Sequence, residues 1–64
     1  MAQLTEIKET LVWLLEHSEK TERRIAELLS GYPIMLLDAA VNELLDAGLI
    51  AATRVQNAPG LRLA

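Results

Sequence analysis

The sequence predicts a mainly α-helical fold in which three helices are followed by a small β-hairpin. Apolar residues recur every three or four positions in three successive segments, which is typical of amphipathic helices. The remaining C-terminal segment has turn-forming residues between two short apolar stretches, which is typical of a hairpin. The chain has 64 residues. That length is enough for a single domain, residues 1–64, with one modest hydrophobic core.

The first helix is predicted to run from about Leu4 to Leu15, because its apolar residues form one continuous stripe. Thr5 is the candidate N-cap of this helix. Trp13 lies nearly opposite the stripe, so we expect it to be exposed or to be covered by another element or subunit. His17 follows at the end of the helix, where a partly protonated imidazole suits the negative end of the helix dipole.

The second and third helices are bounded by recognisable start and stop residues. Thr21 is a favourable N-cap for the second helix, and Gly31 is able to adopt the left-handed conformation that often ends a helix. Pro33 starts the third helix in its first turn, and Gly48 ends it. The residues predicted to face the core from these two helices are Ile25, Leu28, Leu29, Ile34, Leu37, Ala40, Val41 and Leu44.

The C-terminal segment is predicted to form two antiparallel strands. Ala51–Val55 is expected to pair with Leu61–Leu63 across a turn at Gln56–Gly60, because that turn contains Asn, Pro and Gly. A two-stranded hairpin is not stable alone, so it must pack on the helices.

This order of elements resembles a minimal winged helix-turn-helix protein, similar to small bacterial, archaeal or phage transcriptional regulators. The residues that carry the resemblance are Ile25–Leu29, the Val41, Leu44 and Ala47–Ile50 ending of the third helix, and the wing between Arg54 and Arg62. The resemblance implies a DNA-binding domain whose third helix enters the major groove. It does not decide the activity, because such domains also serve as protein–protein modules.

The basic residues point to a DNA contact surface away from the third helix. Five of the six Lys and Arg residues lie just before or within the second helix and in the wing, although the net charge is −3. An acidic domain is disfavoured as a phosphate binder unless its few bases cluster. The residues predicted to contact DNA are Arg23, Arg24, Asn42, Arg54, Asn57 and Arg62. The alternatives are that Arg23 pairs with Glu27, and that the wing arginines protect a sheet edge.

The outer face of the third helix favours a different partner. It carries Asp38, Glu43 and Asp46 and no Lys or Arg, which is unfavourable next to phosphates. A protein-interaction module is therefore the alternative function, and its predicted contact residues are Met35, Leu36, Ala39 and Glu43. A homodimer is a further expected partner arrangement.

Composition argues against other functional classes. With one His and no Cys, we find no nucleophile–base pair and no metal-ligand cluster, so neither an enzyme nor a cofactor is expected. No apolar run approaches the roughly 20 residues that a membrane span needs. The first residues lack the basic flank and apolar stretch of a signal peptide, so a cytoplasmic location is expected.

Overall fold

A computed structural model describes residues 2–64, so Met1 of the predicted domain lies outside the described part. The elements in chain order are α1 (Ala2–His17), β1 (Lys20–Thr21), α2 (Glu22–Leu28), α3 (Ile34–Asp46), β2 (Ile50–Val55) and β3 (Ala58–Leu63). The strands form one antiparallel sheet in the order β1-β3-β2. The described chain is therefore mainly helical with a small hairpin, as predicted, and it gains a short third strand.

The first helix begins earlier than the sequence predicted. It starts at Ala2, so Thr5 lies inside it and is not its N-cap. Two side chains, one from the last residue of the helix and one from the following segment, contact carbonyl groups near its C-terminal end. The Lys20 ammonium donates to the Leu14 carbonyl at 3.1 Å, and Nδ1 of His17 lies 2.9 Å from the Trp13 carbonyl oxygen. The Leu14 carbonyl is one of the last four of the helix, which have no intrahelical partners.

The second helix begins as predicted and ends by a different route. Thr21 is its N-cap, and the Thr21 hydroxyl oxygen accepts a hydrogen bond from the Arg24 backbone N–H at 3.0 Å. The helix ends at Leu28. Gly31 does not adopt the predicted left-handed conformation, because the backbone N–H of Tyr32 donates to the Leu29 carbonyl and closes the turn without it.

The third helix ends before Gly48, as predicted, and Gly48 adopts the left-handed conformation with a φ of 73°. The N–H of Gly48 donates to the Leu45 carbonyl and the N–H of Leu49 donates to the Leu44 carbonyl, both at 3.0 Å. This pair of bonds is the Schellman motif, which satisfies the last carbonyls and redirects the chain into β2. At the other end, Pro33 is the residue that precedes the first helical turn.

The hairpin turn is tighter than predicted. It consists of Gln56 and Asn57, whose φ values are 52° and 67°, so Pro59 and Gly60 belong to β3. Two consecutive residues with positive φ match the right-handed twist of paired strands. In such a hairpin the pair that closes the turn, here Val55 and Ala58, exchanges both backbone hydrogen bonds. The next pair, Arg54 and Pro59, is then a non-hydrogen-bonded pair. The Pro59 nitrogen therefore faces away from β2, and its missing N–H costs no hydrogen bond to that strand.

Strand β1 was not predicted, because two residues are too few to show a period. Lys20 is opposite Leu61, and Thr21 is opposite Gly60. The strand lies between α1 and α2 in the chain and fixes the start of α2 to the hairpin. It also makes β3 the central strand of the sheet.

The core is aliphatic and brings all three helices and the sheet together. Its buried residues are Ile7, Leu11, Leu15, Ile25, Leu29, Leu37, Ala40, Leu44, Ile50 and Leu61. Val41 is only partly buried. Leu28 and Ile34, which were predicted to face the core, are exposed. Leu28 is the last residue of α2 and Ile34 the first of α3, so each lies at a helix end beyond the packed stripes.

One side-chain hydrogen bond ties the turn between α2 and α3 to the first helix. The Tyr32 hydroxyl donates to a carboxylate oxygen of Glu6 at 2.7 Å. Because this bond and the adjacent negative charge favour the protonated phenol, they raise the pKa of Tyr32 above its usual value of 10.0.

Candidate nucleic-acid interface

A groove of about 450 Å³ lies where the start of α2, one face of α3 and β3 meet. Its lining residues are Glu22, Arg23, Ile25, Ala26, Ile34, Leu37, Asp38, Val41, Asn42 and Leu61. Ile34, Asp38 and Asn42 are four residues apart, so they share one face of α3. Of the predicted DNA-contacting residues, the groove brings together Arg23 and Asn42. It also places Glu22 and Asp38 beside them, so the groove has no net positive charge.

The two arginines of α2 share one carboxylate. Nε of Arg23 lies 3.9 Å from Glu27 and Nη1 of Arg24 lies 3.4 Å from it. Both pairs are exposed, and pairs of this kind within a helix stabilise by only about 0.3–0.5 kcal/mol. The pairing that the sequence offered as an alternative is therefore present. It is weak enough for a phosphate to displace.

Arg54 and Asn57 lie together in the wing, which is the β2–β3 hairpin. Nη2 of Arg54 donates to the Asn57 backbone carbonyl at 2.9 Å, so the guanidinium lies over the turn. Side chains alternate between the two faces of a strand. Arg54 is two residues from Ala52, the partner of Leu61, and therefore lies on the sheet face that borders the groove.

Arg62 lies on the opposite face of the hairpin from Arg54. The register pairs Arg62 with Ala51 and Arg54 with Pro59, and these two pairs fall on alternate faces. The predicted wing arginines therefore do not form one continuous basic surface. Lys20, the other base near α2, donates to the Leu14 carbonyl of α1 and to the Ser18 carbonyl just after that helix. The bases on the groove side are thus Arg23, which lines the groove, and Arg54; Arg24 follows Arg23 in α2 but is not a lining residue.

The four residues predicted to form a protein-interaction face on α3 differ in their exposure and contacts. Met35 is 81% exposed, whereas Leu36 is partly buried against the core. Ala39 is half-buried. Glu43 accepts a hydrogen bond from the Lys8 ammonium at 2.8 Å, so it is an α1–α3 contact and not a free surface charge.

Sequence patterns missed two exposed apolar features. Ile34, which was assigned to the buried face, is 72% exposed and lies next to Met35 at the start of α3. A second groove lies between α1 and the end of α3, where Trp13 and Leu49 are both exposed. The off-stripe position of Trp13 was a signal for this groove. Leu49 gave none, because its place beside α1 depends on tertiary packing.

Comparison with protein-family models, with curated proteins and with solved structures gives no match for this chain. Within residues 2–64, no cluster of His, Asp or Glu has an arrangement that could hold a metal ion. Over the same residues, no helix is both long and apolar enough to cross a membrane.

Proposed function

We propose that this chain is a small winged helix-turn-helix regulator that binds DNA through its wing and the start of α2. The element order and the β1-β3-β2 sheet are those expected of a winged helix. The observation that carries the proposal is the position of Arg54. It lies on the groove-facing side of a tight hairpin, on the same side as Arg23.

The proposed contacts are mainly to phosphates. Arg23, Arg24 and Arg54 supply the positive charge, and the N-terminus of a helix also attracts anions. Asn42 is the α3 side chain that can donate to and accept from base edges. With about three phosphates neutralised, log K should fall with log salt at a slope of roughly −3 for a monomer and twice that for a dimer. Binding is therefore expected to be weak and to discriminate little between sequences.

The hairpin offers a matched pair of substitutions to test the proposal. Arg54→Ala and Arg62→Ala each remove one positive charge from the wing, but from opposite faces. Fluorescence anisotropy with a random DNA duplex at low salt should show weaker binding for Arg54→Ala and a salt slope reduced by about one. Arg62→Ala should bind within about twofold of the parent.

Two results would contradict the proposal. Equal weakening by the two variants would mean that only net charge matters. No binding of the parent at tens of micromolar protein would remove the DNA function itself, since non-specific contacts ordinarily give about 10⁻⁴–10⁻⁶ M.

A second candidate function is protein binding through the start of α3. Ile34 and Met35 are adjacent and largely exposed, and exposed apolar patches often mark protein contacts. On this hypothesis Met35→Asp abolishes binding of the partner, while Arg54→Ala has little effect. The DNA hypothesis predicts the reverse dependence for duplex binding.

A further inference from the structure

The second groove has an apolar floor and is separate from the proposed DNA surface. It has a volume of about 520 Å³ and lies between α1 and the segment that follows α3. Its apolar lining residues are Val12, Trp13, Leu44 and Leu49. Trp13 is 57% exposed and Leu49 is 56% exposed. None of its lining residues belongs to the first groove, so occupation of one leaves the other accessible.

Trp13 packs against a neighbouring side chain of the same helix. Its ring lies 4.4 Å from the ring of His17, measured between centroids, with the two planes tilted by 54°. His17 is itself fixed by the short contact between Nδ1 and the Trp13 carbonyl. An aromatic side chain held at the surface loses little conformational freedom on binding, and tryptophan is among the residues that contribute most to protein interfaces.

The rim of this groove is acidic. Its charged lining residues are Lys8, Glu9 and Glu16. The Lys8 charge is already matched by Glu43 at 2.8 Å. Within residues 2–64, Glu9 and Glu16 form no ion pair, so two carboxylates remain uncompensated beside the apolar floor.

We propose that this groove docks a basic amphipathic helix of a partner protein, with apolar residues on one face and Lys or Arg beside them. The groove extends along α1 from Thr5 to Glu16, a distance of about 16 Å, which equals three helical turns. An amphipathic helix in an apolar groove is a recurrent mode of recognition. The uncompensated carboxylates select a partner of positive charge.

A second copy of this chain is a poor occupant of the same groove. Pairing two such grooves would bring Glu9 and Glu16 of one copy against the same residues of the other. Like charges across an interface are unfavourable. A basic helix instead neutralises both carboxylates while it covers Trp13 and Leu49.

Trp13 is the only tryptophan, so its fluorescence reports on this groove directly. The probe is a synthetic helical peptide of about 16 residues with leucines at helical spacing and flanking lysines. Its control has the same leucines with glutamates in place of the lysines. Titration with the lysine peptide should give a saturable blue shift of the emission, and the glutamate peptide should bind at least about tenfold more weakly.

Two double variants distinguish contacts made by the rim carboxylates from a general effect of the chain's negative charge on peptide binding. Glu9→Gln with Glu16→Gln should weaken binding of the lysine peptide about three- to tenfold. The matched control, Glu19→Gln with Glu22→Gln, removes the same charge elsewhere and should leave the affinity within about twofold of the parent. Leu49→Asn should remove most of the blue shift, because it takes apolar area from the floor without adding charge, and it should lower the melting temperature only slightly, because that side chain is more than half exposed.

Three outcomes would overturn the proposal. Equal binding of the two peptides would show that charge does not select the occupant. Equal weakening by the two double variants would mean that the rim carboxylates are not the contacts. A blue shift that grows with the concentration of the chain alone, together with a dimer mass in sedimentation, would assign the groove to a second copy.

Discussion

Replacing Gly60 by alanine should destabilise the protein, because the added methyl group would collide with the neighbouring strand. A Cβ atom at this position would lie 2.6 Å from the Lys20 carbonyl oxygen and 3.0 Å from Cγ2 of Val55. Even close C–H···O contacts between strands keep carbon and oxygen about 3.3–3.6 Å apart. Strand β1 would therefore have to move by roughly 0.7 Å or more. It is only two residues long, and its partners in the sheet are Gly60 and Leu61.

The magnitude follows from two opposing effects. Inserting a methyl group into a tightly packed site costs about 1–3 kcal/mol. Replacing glycine also lowers the conformational entropy of the unfolded chain, which stabilises the folded state by about 0.4–1 kcal/mol. We expect a net loss of about 1–2 kcal/mol from a stability of roughly 3–10 kcal/mol. For a domain of this size each kcal/mol lowers the melting temperature by about 4–8 °C.

Two other glycines serve as controls in the same thermal melts followed by circular dichroism. Gly31 has open space around its Cα and no positive φ, so Gly31→Ala should leave the stability unchanged or raise it by about 0.4–1 kcal/mol. Gly48 also has open space but a φ of 73°, so Gly48→Ala should cost about 1–2 kcal/mol through backbone strain alone. If Gly60→Ala has the same melting temperature as Gly31→Ala, the Lys20 carbonyl of β1 does not lie as close to Gly60 as the structure indicates.

Three further outcomes are expected. Leu44→Ala should lose about 2–5 kcal/mol in a denaturant titration, and Leu28→Ala much less, because Leu44 is buried and Leu28 is exposed. The phenol absorbance of Tyr32, the only tyrosine, should titrate above its usual pKa of 10.0, and Glu6→Ala should lower the midpoint. Since that pKa is raised in the folded state, the stabilisation is full below pH 10.0 and is lost as the pH rises through the native pKa. Asp38→Asn should tighten duplex binding in the anisotropy assay, because it removes a negative charge from the groove that we propose to face DNA.

The helices could be predicted from the sequence because their signals are local. The Thr21 cap, the Gly48 ending and the apolar stripes each depend on residues only a few positions apart. Two features depend on tertiary packing instead. Strand β1 forms because the tertiary fold brings Lys20 and Thr21 beside β3, and nothing in their local sequence indicates that pairing. Ile34 is exposed because no other element of residues 2–64 covers the start of α3, which its apolar character does not reveal.

The candidate wing surface depended on the length of one turn. With a turn at Gln56–Gly60, Arg54 would be opposite Arg62 and both would lie on one face. The actual turn has two residues, which shifts the register by an odd number and moves Arg62 to the other face. The turn chemistry in the sequence was ambiguous, because Asn57 and the Pro–Gly pair that follows it can each form a turn.

Two acidic residues of α3, Asp38 and Glu43, have different surroundings because of tertiary packing that the sequence alone does not reveal. On a helical wheel Asp38 and Glu43 both fall outside the apolar face. The packing of α1 against α3 places Lys8 beside Glu43, at 2.8 Å, whereas Asp38 lies in the groove between α2 and the sheet. The negative charge of Glu43 is therefore compensated where it lies, and removing it would leave Lys8 without its partner. Asp38 has no ion pair within the described residues, so it is the α3 carboxylate whose charge would oppose a phosphate bound on the groove side as proposed.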